Sequence, residues 1–256
     1  MSVTTITIKP PKSLIRPIGR AISDYGLIRP NDRVLVALSG GKDSLSLLHV
    51  LLHLQRHAPV HFDVAAITVD PQKQGYDPSP LKAYMQQLGI TYFYQSQPVV
   101  QRSISHMQKL SHCTYCARIK RNIMYATARR ESYNVLALAQ HLDDLAESFL
   151  MSAFYSGQLR TMKAMYFNEH QDVRIVRPMI YVRERQTIAY AKESDLPVIP
   201  ESCPACVIKP QQRQHMKSWL AEEEKHNKNL FKNLLTTIKP LMLQDYNIRN
   251  SDVVKK

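Results

Sequence analysis

Asp32-Arg33-Val34-Leu35-Val36-Ala37-Leu38, followed at once by Ser39-Gly40-Gly41-Lys42-Asp43-Ser44, is the stretch from which the rest of the chain can be read. Its first part is apolar over the length of one strand, as expected for a strand covered on both faces of a parallel sheet. The second part changes character. Two adjacent glycines let the backbone bend so that several N–H groups point at one anion. A helix starting at Asp43 or Ser44 would add its positive end at the same spot. Lys42 supplies a mobile charge for phosphate oxygens, and Ser39 and Ser44 supply hydroxyls. The plainer alternative is a Gly-rich turn capping a helix, but strand, loop and helix in this order favour phosphate. A Walker-type loop is excluded, because Val36 stands where its first glycine belongs and Asp43 follows the lysine.

Working outward, helical periodicity over Lys12 to Tyr25 stops at Gly26, a left-handed helix terminator. Further apolar strand-length runs lie at Val60–Val69, Thr91–Tyr94, Asn134–Ala139 and Val173–Arg177. Helical patterns alternate with them at Leu81–Leu88, Cys116–Arg130, Asp143–Tyr155 and Arg183–Ser194. The tail from Gln211 to Leu243 reads as two helices with a break near Lys239-Pro240. The expected fold is therefore α/β, a doubly wound parallel sheet of about five strands with a helical C-terminal tail. Ligands of such sheets sit beyond the carboxyl ends of the strands, where Leu38, Ser39, Asp70 and Gln140 fall. The expected division is a lead-in over 1–30, a nucleotide-binding domain over 31–200, and a second cysteine loop with terminal helices over 201–256 in the same globular unit.

The chain has 256 residues, 44% of them hydrophobic, with 34 Lys and Arg against 21 Asp and Glu. One main soluble domain is the expectation. A formal charge of +13 favours a polyanionic partner, since neutralised phosphates release counterions. Arg118, Lys120, Arg121, Arg129 and Arg130 crowd one segment. Arg174, Arg177, Arg183 and Arg185 crowd another. There is no long apolar run and no secretory leader pattern at the start, so no membrane partner and a cytoplasmic location are expected.

Two further groups carry chemistry. His141-Leu142-Asp143-Asp144, with Glu147, follows the fourth strand. Asp144 and Glu147 share one helix face, suited either to a hydrated Mg²⁺ or to a favourable place at a helix start. Asp70 suits ribose, a metal or a turn equally. The four cysteines form two pairs, Cys113-x-x-Cys116 and Cys203-x-x-Cys206. Four such thiolates could make a zinc site, a [4Fe–4S] cluster or a dithiol relay, and spacing alone ranks zinc first.

The hexapeptide at Ser39–Ser44 resembles the PP-loop of enzymes that split ATP between its α and β phosphates. More widely, the chain resembles the tRNA 2-thiocytidine synthetase family from about Ile18 to Asp245. The resemblance is carried by Leu38–Ser44, Asp70–Gly75, Cys113–Arg118, His141–Asp144, Phe154–Gly157, Arg177-Pro178, Ile199-Pro200 and Gln212–Gln214. It implies an adenine nucleotide alpha hydrolase-like fold and an enzyme using ATP and Mg²⁺ to adenylate C2 of an anticodon-loop cytidine in tRNA. AMP leaves as sulfur arrives from a donor such as a cysteine desulfurase. The resemblance replaces zinc with a [4Fe–4S] cluster on Cys113, Cys116 and Cys206, with Cys203 as the alternative third ligand. It implies ATP contacts at Leu38, Ser39, Gly40, Gly41, Lys42, Asp43, Ser44, Asp70, His141 and Asp144. Catalytic roles fall to Lys42, Asp43, Cys113 and Cys116. Arg118, Lys120 and Arg121 would hold RNA, and family members tend to be homodimers. Two stretches depart from the family pattern. Gln140-His141-Leu142-Asp143-Asp144 lacks the family's second histidine and its arginine. Glu201-Ser202 precede the second cysteine pair, and Val207-Ile208-Lys209 follow it in place of Gly-Ser-Gln.

Overall fold

The computed structural model describes residues 9–72, 75–101, 112–199 and 212–243, with backbone alone at 112–114. Helix α1 (Lys12–Tyr25) ends at Gly26 in the left-handed region, φ 57°, as the sequence requires. Strand β1 (Asp32–Ala37) runs into helix α2 (Lys42–His57), and β2 (Phe62–Asp70) follows. Next come α3 (Ser79–Leu88), β3 (Tyr92–Ser96), α4 (His112–Arg130) and β4 (Val135–Ala137). The chain continues through α5 (Leu142–Ser156), β5 (Met165–Phe167), β6 (Arg174–Val176) and α6 (Glu184–Glu193). Helices α7 (Gln212–His226) and α8 (Leu230–Ile238) complete it.

The sheet order is β3-β2-β1-β4-β6-β5, parallel except for β5, which pairs antiparallel with β6. The described residues form six strands, one more than the sequence made visible. Met165-Tyr166-Phe167 is too short to show periodicity, and its pairing to Arg174–Val176 comes from a loop-closed hairpin. The break in the tail also moves. It lies between α7 and α8, where the Asn227 side chain accepts the Asn229 N–H at 3.0 Å, while Pro240 opens a 3₁₀ turn after α8.

Successive β1 residues point into two different cores, which is why the run is apolar throughout. Val34 and Val36 face a large cluster with Leu14, Ile18, Leu45, Leu48, Met216 and Ile238. Leu35 faces a smaller cluster with Ile67, Leu136, Ile175 and Ala128 of α4. Among the described residues α4 alone covers that second face. Strand order reverses between β1 and β4, so the loops leaving these two strands diverge and open a crevice at their carboxyl ends.

Candidate active site

Both loops at that crevice carry the residues singled out above. The Ser39–Ser44 loop is braced from within. Ser44 Oγ donates to the Gly41 carbonyl at 2.9 Å, and the Gly41 N–H donates to Ser39 Oγ at 3.2 Å. Gly40 has φ 88°, a backbone state that favours glycine. A Cβ there would lie 2.9 Å from Ile199 Cδ1. Gly41 is the N-cap of α2, and no side chain caps that helix, which leaves its first amides for an anion. Thr68 Oγ1 donates to the Leu38 carbonyl at 2.8 Å and pins the loop's start to β2.

Lys42 Nζ lies 3.1 Å from Asp43 Oδ2 and 3.0 Å from Glu184 Oε1. Glu184 also receives Lys217 Nζ, at 2.6 Å. Burial alone would raise the Glu184 carboxyl, but hydrogen bonds and charge from Lys217 and Lys42 outweigh it and hold it at about 2. Burial likewise pulls the Lys42 ammonium down, and Asp43 with Glu184 more than restores it. The remaining Asp43 oxygen, Oδ1, accepts the Thr187 hydroxyl.

His141 caps α5 reciprocally with Asp144. The Asp144 N–H donates to His141 Nδ1 at 3.4 Å, and the His141 N–H donates to Asp144 Oδ2 at 3.0 Å. With Nδ1 accepting, the neutral ring carries its proton on Nε2, which faces Asp43 Oδ2 at 3.8 Å. Asp143 Oδ2 also lies 3.7 Å from His141 Nδ1, but its hydrogen bonds come from the other side. It accepts from Arg183 Nε at 3.1 Å and from the Glu184 N–H at 2.8 Å. Arg183 continues into a two-pronged pair with Glu224 at 2.7 and 2.8 Å and lies 3.2 Å from the Phe231 ring centroid. Glu147 is buried. Burial first, then the neighbouring Asp144, push its carboxyl up to about 7, against Arg213 and Lys217.

The structure thus brings Lys42, Asp43, His141 and Asp144 to one crevice. Asp70, at the end of β2, is not hydrogen-bonded to any of these four: its carboxylate accepts the Tyr94 hydroxyl and, at 2.7 Å, the Gln72 N–H, as a turn residue does. Glu184, Thr187, Lys217 and Ile199 belong to the site and were missed. Glu184, Thr187 and Ile199 meet the loop from more than 140 residues away in sequence, Lys217 reaches it through Glu184, and Glu184 reads as an acidic helix start.

Cys116 is a free, half-buried thiol in α4, one turn beyond the Cys113 backbone, so both cysteines sit on one helix face with Lys120. Cys203 and Cys206 lie outside the described residues. Arg118 and Arg121 occupy a different face from Lys120, and among the described residues no carboxylate pairs with any of the three. No cluster of three or more potential metal ligands occurs among the described residues, and no described helix is long and apolar enough to cross a membrane.

A family model described as a PP-loop domain matches residues 12–203. The tRNA-cytidine(32) 2-sulfurtransferase of Geobacter sulfurreducens is 36% identical over 230 residues, 89% of each chain. The enzyme of the same name from Geotalea daltonii is 35% identical over 244 residues, 93% of this chain and 96% of that one. Among solved structures, the U34-tRNA thiolase NcsA of Methanococcus maripaludis, which carries a [4Fe–4S] cluster, superposes with a TM-score of 0.74 at 20% identity. The match covers 90% of this chain and 78% of that one, and shows a shared fold. By sequence and by fold the chain belongs to the PP-loop superfamily and, within it, to the tRNA 2-thiocytidine synthetase family.

Proposed function

We propose that this chain is an ATP-dependent tRNA sulfurtransferase that adenylates the C2 oxygen of an anticodon-loop cytidine with release of pyrophosphate and puts sulfur in its place as that oxygen leaves with AMP. The observation that carries the reading is the meeting of Lys42, Asp43 and His141 at the switch point of a chain 36% identical to a named tRNA-cytidine 2-sulfurtransferase. The open amides at the start of α2 would grip the β and γ phosphates. Lys42 would leave Asp43 and Glu184 for the phosphate oxygens, neutralising charge as pyrophosphate departs. His141 and Thr187 hold the Asp43 carboxylate from two sides while the lysine moves.

Mg²⁺ fits beside Asp144 and Glu147: burial first, then the Asp144 charge, raises the Glu147 carboxyl, and a cation there would add to the partial neutralisation that Arg213 provides at 3.7 Å from each. With at most two carboxylates to offer, the site suits an ion that keeps water and phosphate ligands. A [4Fe–4S] cluster fits α4: Cys116 is free, Cys113 stands one turn away, and the nearby cations favour thiolates. Held by three cysteines, Cys113, Cys116 and Cys206, such a cluster supplies an open iron position for a sulfur atom. The sulfur would come from a cysteine desulfurase in the cytoplasm.

Nucleoside analysis of tRNA from a deletion strain tests this. Loss of 2-thiocytidine, restored by the wild-type gene and not by Cys116→Ala, is expected. Persistence of 2-thiocytidine in the deletion strain would overturn the assignment. Protein purified without oxygen should hold roughly four irons and four sulfides per chain, whereas one tight zinc would overturn the cluster.

A further inference from the structure

Because α4 is, among the described residues, the lone helix over its face of the sheet, a trough lies between it and the edge strand β5. The trough is an open pocket of about 470 Å³, inside the range usual for nucleotide-sized ligands. Its helical wall is a single stripe, Arg118, Arg121, Asn122, Tyr125 and Arg129, at the three- and four-residue spacing of one helix face. The opposite wall is Tyr166 and the hairpin turn through Asn168, Glu169 and His170.

Three features point to a nucleotide. First, the charge is unbalanced. Arg129 is neutralised by Asp172 at 2.6 Å, but Arg118 and Arg121 have no carboxylate partner among the described residues, and Glu169 is the one acidic residue lining the trough. Second, two tyrosine rings, Tyr125 and Tyr166, line it, offering flat surfaces on which a base stacks whatever its identity. Third, the Tyr166 hydroxyl is buried near Tyr125, Arg121 and Arg177 yet makes no well-formed hydrogen bond among the described residues, while Arg177 sits 5.3 Å from the ring centroid and holds the ring in place. A buried hydroxyl left unmatched is destabilising unless a ligand group meets it.

We propose that this trough is a second nucleotide subsite, distinct from the PP-loop crevice. It takes an unpaired nucleotide of the substrate RNA with its phosphates on Arg118 and Arg121 and its base against Tyr125 and Tyr166. The inference rests on the tRNA-modifying reading above. Cys116 and Tyr125 are nine residues apart on one helix, about 14 Å along its axis. The nucleotide held is therefore a neighbour of the reacting cytidine. Lys120, on the cysteine-bearing face, is left to the reacting end.

The test measures binding of a tRNA anticodon stem-loop to Arg121→Ala, Tyr166→Phe and Asn122→Ala across a salt series, together with RNA KM and kcat. Arg121→Ala should weaken binding about tenfold and reduce the slope of log K against log salt by about one. Tyr166→Phe should raise KM for RNA severalfold with kcat unchanged, at a melting temperature no lower than that of wild type. A stem-loop carrying a photoreactive pyrimidine beside the target should crosslink to Tyr125 or Tyr166. Wild-type binding and thiolation with all three variants indistinguishable from it would overturn the subsite and leave the enzyme reading standing. Failure of wild type to bind the stem-loop would overturn the enzyme reading itself. Protection of the trough by cytidine monophosphate alone, with no crosslink from the stem-loop, would assign it to a free nucleotide and overturn the RNA proposal.

Discussion

Ile199 donates its backbone N–H to the Gly40 carbonyl at 2.9 Å, and its side chain fills the space that a Cβ on Gly40 would occupy. Gly40→Ala should therefore damage more than the loop. The strained backbone costs about 1–3 kcal/mol, and the Ile199 contact adds to it. ATP-dependent pyrophosphate release should fall at least tenfold, together with the melting temperature. Adding Ile199→Ala removes the Cδ1 contact but not the backbone strain, so rescue should be partial. Full rescue would mean that the φ of 88° is immaterial.

Glu184 supports Lys42, and its effect has a definite pH signature. Its folded pKa, about 2, lies below the usual carboxylate value of 4.5. Its contribution to stability is present above that unfolded value and is lost as pH falls through about 2. The stability gap between wild type and Glu184→Gln should shrink on acidification, as read by urea denaturation from pH 7 downward. A constant gap would show that the ion pairs with Lys42 and Lys217 do not hold the carboxylate.

Two buried groups titrate in opposite senses. Burial depresses His49, enclosed by Tyr190 at 2.8 Å and Tyr84 at 3.0 Å, to about 4. The unfolded chain takes up a proton that native His49 refuses, so this group makes stability rise between pH 4 and 6.5. Native Glu147 keeps a proton that the unfolded chain releases, so it makes stability fall between pH 4.5 and 7. Each is worth on the order of 3 kcal/mol. Glu147→Gln should steepen the rise of melting temperature with pH, and His49→Gln should flatten or invert it. Curves parallel to wild type would refute both assignments.

Asp32 anchors the start of β1. It accepts from Arg174, from Asn134 Nδ2 at 2.8 Å and from the Arg29 N–H at 2.6 Å, and both charged partners are buried. Asp32→Ala strands the guanidinium and should cost about 3–5 kcal/mol, measurable by chemical denaturation. A double variant replacing Arg174 with Met as well should recover much of that loss.

The fold was legible wherever a strand is buried on both faces, because Val34 to Ala37 and Val64 to Ile67 leave no room for polar residues. Strand β5 was not, since three half-buried residues on an edge carry no period. In the site, the phosphate loop is contiguous and reads directly. Glu184 and Thr187 do not, because their roles come from packing α6 beside α2, a relationship without local sequence signature. Asp70 sits where the sequence put it, at the end of β2, yet its oxygens serve Tyr94 and the Gln72 turn.

Arg183 gives the C-terminal helices a meaning that composition does not suggest. One guanidinium joins Asp143 beside His141 to Glu224 in α7 and rests on Phe231 of α8. The tail is thus the keystone of the crevice's wall. Trimming it would remove Glu224 and Phe231 together and leave Arg183 half-neutralised and uncovered beside Asp143. A shortened version of this enzyme would have to be redesigned at the crevice before it could be cut at the end.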